Sequence, residues 1–483
     1  MGGVTSSAPD RRPQLGHGAI GVGGLVFFVV AAASPLAVMA GVAPLAIARG
    51  GIGTPAAYGL TAAVLAVFAV GYTAMSRHIR NAGAFYAYVT HGLGRELGLG
   101  AAVLATYCYA ALAVGVAALF AVFAHTTFAD LLGIDVAWQA WFFAALALAW
   151  FLGHRSIEVS ARVLGVALCL ETAILMLIAV AVVVDGGASG LSAEPFAPSQ
   201  IFGADAAVMF AVAAGAFLGF EATAMLGEEA RDPRRTVRQA TFVAVGLLAL
   251  TYVFVTWAAV MAFGTEAAQG VARAEPIAYM FVVADQYVGG WAVDAMRVLV
   301  VTSAFAAFLA FHNAASRYVF ALARAGALPA RLALTHSRHR SPAAANLLQT
   351  IVAAVAISVA IAASLDPYDD VFVLTGLTSV TAIIALEALT SLAVIGYFRA
   401  DRRGHGLVTT LAAPAAAAIG LLAMLIVTVA NIDVLTARPP ATGRVLLGVA
   451  AGVFALGVAY ALVLRSRRVH VYEGLARASL TDP

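Results

Sequence analysis

Three carboxylates stand where a carboxylate is expensive. Glu171, Glu221 and Glu387 each fall inside a long apolar run. A charged side chain deep in a bilayer costs several kcal/mol, so an intramembrane acid is by default a functional candidate. Such a group can take up and release a proton during a cycle. The plainer reading of each is a neutral acid hydrogen-bonded to a neighbouring helix. Two backbone interruptions accompany the acids. Ser34-Pro35, with Gly41 to Pro44 further on, breaks the first apolar run, and Gly215-Ala216-Phe217-Leu218-Gly219-Phe220 breaks the sixth. Proline removes a donor and clashes with the preceding turn. Irregular backbone survives in lipid only where protein or a water-filled cavity surrounds it. Either break alone reads as an ordinary kink or packing glycine. Breaks at corresponding places in two halves of a chain point instead to a site for a small polar molecule at mid-membrane.

The elements that must position these groups follow from composition. Of 483 residues, 62 % are hydrophobic and 11 % charged, and the mean hydropathy is +0.93. Ordinary soluble domains are about 25 % charged. A water-soluble globule of this composition would expose large, aggregating apolar patches. Soluble enzymes and nucleic-acid binders are excluded on that ground, leaving a polytopic membrane protein. Residues 18–48, 97–129, 241–265, 341–365, 406–432 and 445–464 contain no Asp, Glu, Arg or Lys. Each is long enough for a membrane helix of about 20 residues, and none shows the roughly 10-residue alternating segments of a barrel. The two cysteines, Cys108 and Cys169, lie in apolar runs and supply neither a disulfide framework nor a zinc spacing. No phosphate-binding loop is present, which argues against a primary pump. No cofactor, metal site or catalytic residue is expected.

Reading apolar runs against charge gives about twelve spans, at 19–48, 57–76, 97–128, 137–153, 158–184, 203–227, 239–264, 295–323, 343–364, 371–398, 407–430 and 444–464. The polar, short N-terminus makes the first of these a span rather than a cleaved signal. There is no lysine. With the N-terminus inside, Arg77, Arg80, Arg155, Arg231, Arg234, Arg235, Arg324, Arg399 and the tail arginines fall on the cytoplasmic side. Asp130, Asp135, Asp185, Glu266, Asp366, Asp369 and Asp370 then face outward. That asymmetry predicts an even number of spans and cytoplasmic ends, in the cell inner membrane.

Three segments now carry a resemblance. Asn81-Ala82-Gly83-Ala84-Phe85-Tyr86-Ala87-Tyr88 is similar to the GG-x-Y-x-Y motif that opens the third span of amino acid permeases. Gly219-Phe220-Glu221-Ala222, with Glu228-Glu229-Ala230-Arg231-Asp232-Pro233-Arg234-Arg235, resembles their G-x-E…EE-x-x-NP-x-R motif at the end of span six. Asn313-Ala314-Ala315-Ser316-Arg317 through Leu328-Pro329 resembles their N-x-x-S-R…R-x-G-x-LP motif after span eight. In this order, over roughly residues 19–400, the set resembles the amino acid–polyamine–organocation superfamily. The resemblance implies an all-α fold of about 12 transmembrane helices: two inverted five-helix repeats with discontinuous helices 1 and 6, plus two C-terminal helices. It divides the chain into a cytoplasmic tail (1–18), a transport core (19–400), two added spans (401–465) and a second tail (466–483).

The resemblance also implies a substrate site at the unwound centres of spans one and six. A zwitterionic cargo needs donors for its carboxylate and acceptors for its ammonium. Ser34 is expected to cap the second half-helix, with Pro35 at its first position and the backbone of Leu36 and Ala37 facing the carboxylate. Proline here departs from the family's Gly-Ser-Gly-like turn and supplies no N–H, which tilts the expectation toward an amine or polyamine. Carbonyls from Ala214 and Gly215 to Phe217 would hold the ammonium. Phe217 and Phe220, next to Gly219, read either as gates or as packing aromatics. Tyr107 and Cys108 of span three lie at pocket depth. Glu171 falls in span five about where some proton-coupled relatives carry a lysine in place of sodium, and is the first candidate for H⁺ coupling. Glu221 is the second, expected to link span six to span one. Glu387 reads as a structural bond and His312 as a packing histidine. Glu228 and Glu229 with the adjoining arginines read as a gate or anchoring network. Na⁺ coupling would draw on Thr302 and Ser303. The expected function is a secondary transporter for an amino acid or amine, by proton symport or exchange. Its partners are a small molecule, H⁺ and the bilayer, with homodimerisation left open. The alternatives are a membrane-embedded enzyme acting on lipid-linked substrates, and a nutrient sensor or channel on the same scaffold.

Overall fold

The computed structural model describes residues 21–79, 84–154, 158–203, 206–221, 223, 230–335 and 341–477. Among these there is no β-strand, and ten helices are long and apolar enough to cross a membrane. In chain order they are Val22–Gly41, Thr54–Met75, Arg95–Leu132, Gly165–Asp185, Arg235–Phe263, Gly290–Arg324, Ala343–Ala362, Pro367–Ala400, Val408–Ala430 and Pro440–Arg467. The shorter apolar helices Trp138–Gly153 and Ala207–Ala216 fill the fourth and sixth places. The chain is a multi-pass, all-helical membrane protein, and these twelve segments are spans 1 to 12. Residues 1–18, Asn81, Ala82, Gly83, Ala222, Glu228 and Glu229 lie outside the described residues.

Spans 3 and 8 run along each other through the centre. With 38 and 35 residues, they are about 57 and 52 Å long at 1.5 Å per residue. A hydrocarbon core is only about 30 Å thick, so both must tilt or project beyond it. Spans 3 and 10 are mostly buried by their neighbours, whereas span 12 is mostly exposed. The outer surface is apolar: Leu250, Ile419, Ile426 and Leu456 are each about two-thirds exposed. Acyl chains, not water, are the stable surroundings for such a surface.

Close crossings use small residues, as expected where helices associate by packing rather than by the hydrophobic effect. Helix Ala84–Leu93 crosses span 10 through Gly92 and Gly396, where a Cβ on either would run into the facing backbone. Three short helices were not anticipated from the sequence. Short helices Ala268–Ala274 and Tyr279–Tyr287 fill the connection between spans 7 and 8. The expected C-terminal tail contains helix Val469–Arg477, whose Leu475 is fully buried. The Leu475 carbonyl accepts a hydrogen bond from Tyr86, and Tyr472 donates to Glu96 at 2.6 Å.

Candidate functional site

Span 1 breaks at Ser34, which takes left-handed backbone angles (φ 44°, ψ 71°) between helices Val22–Ala33 and Pro35–Gly41. Proline at the first position of the second helix disfavours an α conformation in the residue before it. The expected serine cap does not form. The Ser34 hydroxyl lies 2.8 Å from the Ala31 carbonyl and 2.7 Å from that of Ser303 in span 8, and so donates away from the second half-helix. The first amides of that half-helix are served from elsewhere. Pro35 has no N–H, the Leu36 N–H bonds the Glu171 carboxyl, and the Ala37 N–H reaches Ser303 Oγ at 3.3 Å. Ser303 Oγ in turn donates to Glu171 Oε2 at 2.6 Å. The amides expected to face a cargo carboxylate therefore face the protein's own acid, which is 3 % exposed. A carboxylate at a helix N-terminus is electrostatically favoured.

Span 6 ends as a helix at Ala216 and continues in tight turns through Glu221. The Phe217 and Leu218 N–H groups fold back to the Ala214 and Gly215 carbonyls at 3.3 and 3.2 Å. Gly219 has φ +108°, open to glycine and strained for other residues. A Cβ there would also sit 3.1 Å from the Ala32 Cβ of span 1. Glu221, fully buried, turns back on this break. One carboxyl oxygen accepts the Gly219 N–H at 2.9 Å and the other accepts the Tyr109 hydroxyl of span 3. Its carbonyl accepts the Tyr72 hydroxyl of span 2 at 2.8 Å. These bonds tie Glu221 to spans 3 and 2, where a link to span 1 was expected. Sequence position alone cannot tell which helix faces an acid.

Between the two breaks lies a cavity of about 100 Å³. For scale, an engineered apolar cavity of about 150 Å³ accepts benzene. Ser34 and Ala37 line it from span 1, Gly215, Ala216 and Leu218 from span 6, and Phe311 from span 8. Span 3 adds Leu112 and Val116, and span 10 adds Val380. Ser34 is the one hydroxyl-bearing residue of the lining.

The expected site residues therefore divide. Ser34, Ala37 and Gly215 line the cavity, and Pro35, Leu36 and Ala214 are their chain neighbours. Phe217 packs away from it, 5.4 Å from the Tyr252 ring and 6.5 Å from that of Tyr58. Phe220 packs edge-on to Phe68 at 5.9 Å. Both pack against other aromatic rings in this conformation. Tyr107 bonds Thr378. Cys108 and Ser379 exchange bonds across spans 3 and 10, with Sγ to the Ser379 carbonyl at 3.3 Å and Ser379 Oγ to the Cys108 carbonyl at 3.0 Å. Neither Tyr107 nor Cys108 lines the cavity. Thr302 bonds its own helix through the Leu299 carbonyl, leaving Ser303 as the hydroxyl that faces the break. His312 is buried, with Nε2 3.3 Å from Thr350 Oγ1. Sequence reasoning did not place Phe311, Leu112, Val116 or Val380, because an apolar residue of a membrane helix carries no local mark of a cavity wall.

Asp232 accepts the Arg235 N–H at 3.4 Å and opens the helix of span 7, so this part of the arginine-rich segment is a helix cap. The two broken helices, the acid folded onto the second break and the motifs around them find their match in a known group. A family model described as amino acid permease matches residues 20–456. The chain belongs to the amino acid permease family. An uncharacterized transporter of Mycobacterium tuberculosis is 34 % identical over 143 residues, 29 % of this chain and 31 % of that protein. A branched-chain amino acid permease of Bacillus subtilis is 28 % identical over 152 residues, 31 % of this chain and 30 % of that protein. This permease thus spans about three-tenths of the length of these relatives. Within it, Gly219 and Glu221 of the span 6 motif are the residues that shape and hold the second break.

Proposed function

We propose that this permease is a secondary transporter that carries a small amino acid with an apolar side chain by alternating access, together with a proton. The observation carrying this reading is the engagement of the first-turn amides of half-helix Pro35–Gly41 by Glu171 and Ser303. As an anion, Glu171 occupies the position where a cargo carboxylate would dock. Once protonated it no longer competes as a charge, and the cargo carboxylate takes its place beside Leu36 and Ala37. One proton and one zwitterion then enter together. Carbonyls at the span 6 break receive the ammonium. The aliphatic wall favours an apolar side chain, and the branched-chain amino acid permease among the relatives supports that choice. The same reading takes residues 19–400 as an inverted-repeat core, 401–465 as added spans, and both ends as cytoplasmic at the cell membrane.

The test is uptake by the purified protein in liposomes. Small apolar amino acids should accumulate when the outside is acidified, with no need for sodium, while the corresponding decarboxylated amines should show no such response. Glu171→Gln should abolish the response to the pH gradient. Full pH-driven uptake by that variant would remove Glu171 from the coupling, and sodium-driven uptake would replace the proton by Na⁺ at Ser303.

A further inference from the structure

Span 10 forms one wall of the cavity between the two breaks, through Phe372, Val373, Gly376, Leu377 and Val380. Spaced i, i+1, i+4, i+5 and i+8, these residues make a single stripe along the helix. Contacts with span 3 hold the stripe in that direction. A Cβ on Gly115 of span 3 would stand 2.2 Å from Thr375 Oγ1, so the two helices cross closely there. One turn on, Ser379 and Cys108 exchange two hydrogen bonds. With positions 375 and 379 turned to span 3, Gly376 and Val380 are kept toward the cavity.

Two glycines line this cavity, and they differ. A Cβ on Gly215 would stand 2.7 Å from Val380 Cγ2, so packing calls for glycine at that place. A Cβ on Gly376 would meet no atom within 4 Å. Gly376 lies inside helix Val373–Ala400, where glycine is less favourable than alanine. Neither packing nor backbone geometry therefore calls for glycine at 376. Its effect is a notch in the cavity wall, between Val373 on one side and Val380 on the other. The stripe brings no polar side chain to the cavity, so span 10 faces the apolar end of a cargo, while the two breaks face its charged groups. We propose that Gly376 is a specificity-determining residue: the notch receives the tip of the cargo side chain, and any side chain at 376 excludes cargo in step with the volume it adds. This rests on the transport reading and adds to it the residue that sets the upper size limit.

The test compares alanine, valine, leucine and phenylalanine as cargo for the full chain, by uptake in liposomes and by the melting shift that each amino acid induces. Gly376→Ala should melt no lower than the wild type, since the new methyl enters open space and the helix gains by the exchange. Gly376→Val should raise the KM for leucine about tenfold more than that for alanine, the discrimination that a misplaced methyl group gives in an apolar pocket. Gly376→Ala should fall between the wild type and the valine variant. An equal change for alanine and leucine, or no change for either, would overturn the proposal, as would a Gly376→Ala protein that melts early. Size-ordered binding that the valine variant loses, in a protein whose uptake ignores the pH gradient, would remove the proton-coupled reading and leave the notch standing. Binding of none of the four amino acids would remove both.

Discussion

At the scale of single residues, the site rests on hydroxyls as much as on acids. Ser303 is a positioning residue. It accepts the Ala37 N–H, donates to Glu171, and its carbonyl receives Ser34. Ser303→Ala leaves a buried amide and a buried acid short of a partner, which costs about 1–3 kcal/mol for an unmet buried group. We expect a lower melting temperature and a flattened pH profile of uptake, with Ser303→Thr restoring the profile; an unchanged profile in the alanine variant would show that the hydroxyl only packs. The acids themselves were legible, since charge in an apolar run needs no fold to be noticed. Their partners were not. Whether Glu171 meets Ser303, or Glu221 meets Tyr109, depends on which faces of helices far apart in the chain come together, and neither charge nor motif encodes that. Ser34 shows the same limit, because its hydroxyl bonds the Ser303 carbonyl of span 8, a partner 269 residues away.

At the scale of elements, the broken spans were readable because proline and glycine leave a mark on the chain. The break in span 1 falls at Ser34-Pro35, and that in span 6 within the glycine-flanked stretch, as their residues require. The docked C-terminal helix reads as a polar tail, although Val471, Tyr472 and Leu475 stand at helical spacing on the face that meets the core. Connections also hold structure. His78, past the end of span 2, and His405, in the connection between spans 10 and 11, are joined by ring nitrogens 3.2 Å apart. One ring must donate and the other accept, so two protonated rings cannot keep this bond. Partial burial, helped by the nearby Arg77, holds His405 below its ordinary value of 6.5. A histidine that binds its proton more weakly when folded contributes stability that is complete above 6.5 and is lost as the pH falls through the lower folded value. We therefore expect amide exchange at residues 401–407 to accelerate on acidification in excess of the intrinsic rate change, and His405→Gln to remove that excess. Equal acceleration in both proteins would dismiss the histidine bond as a pH-sensitive contact.

At the scale of the whole molecule, the last described helix folds back onto the start of span 3. Nine residues are too few to hold a helix alone, so Val469–Arg477 is kept by docking. The docking rests on buried Leu475, the Tyr86 hydroxyl, and a Tyr472–Glu96–Arg465 cluster with Arg95 stacked 5.0 Å from the Tyr472 ring centroid. Leu475→Asp places a charge where a side chain is fully enclosed. It should release the helix, seen as faster protease cleavage after Arg468 with the twelve spans still folded. Cleavage at the wild-type rate would mean that the polar cluster suffices without the leucine. The first partner of this helix, Tyr86, sits on the short helix that leads into span 3 and crosses span 10 at Gly396. A pull on helix Val469–Arg477, whether from a fused reporter, a tether or a bound protein, is thus passed to the helix that crosses span 10 rather than absorbed by a loose string. Labels meant to be silent belong on another part of this molecule.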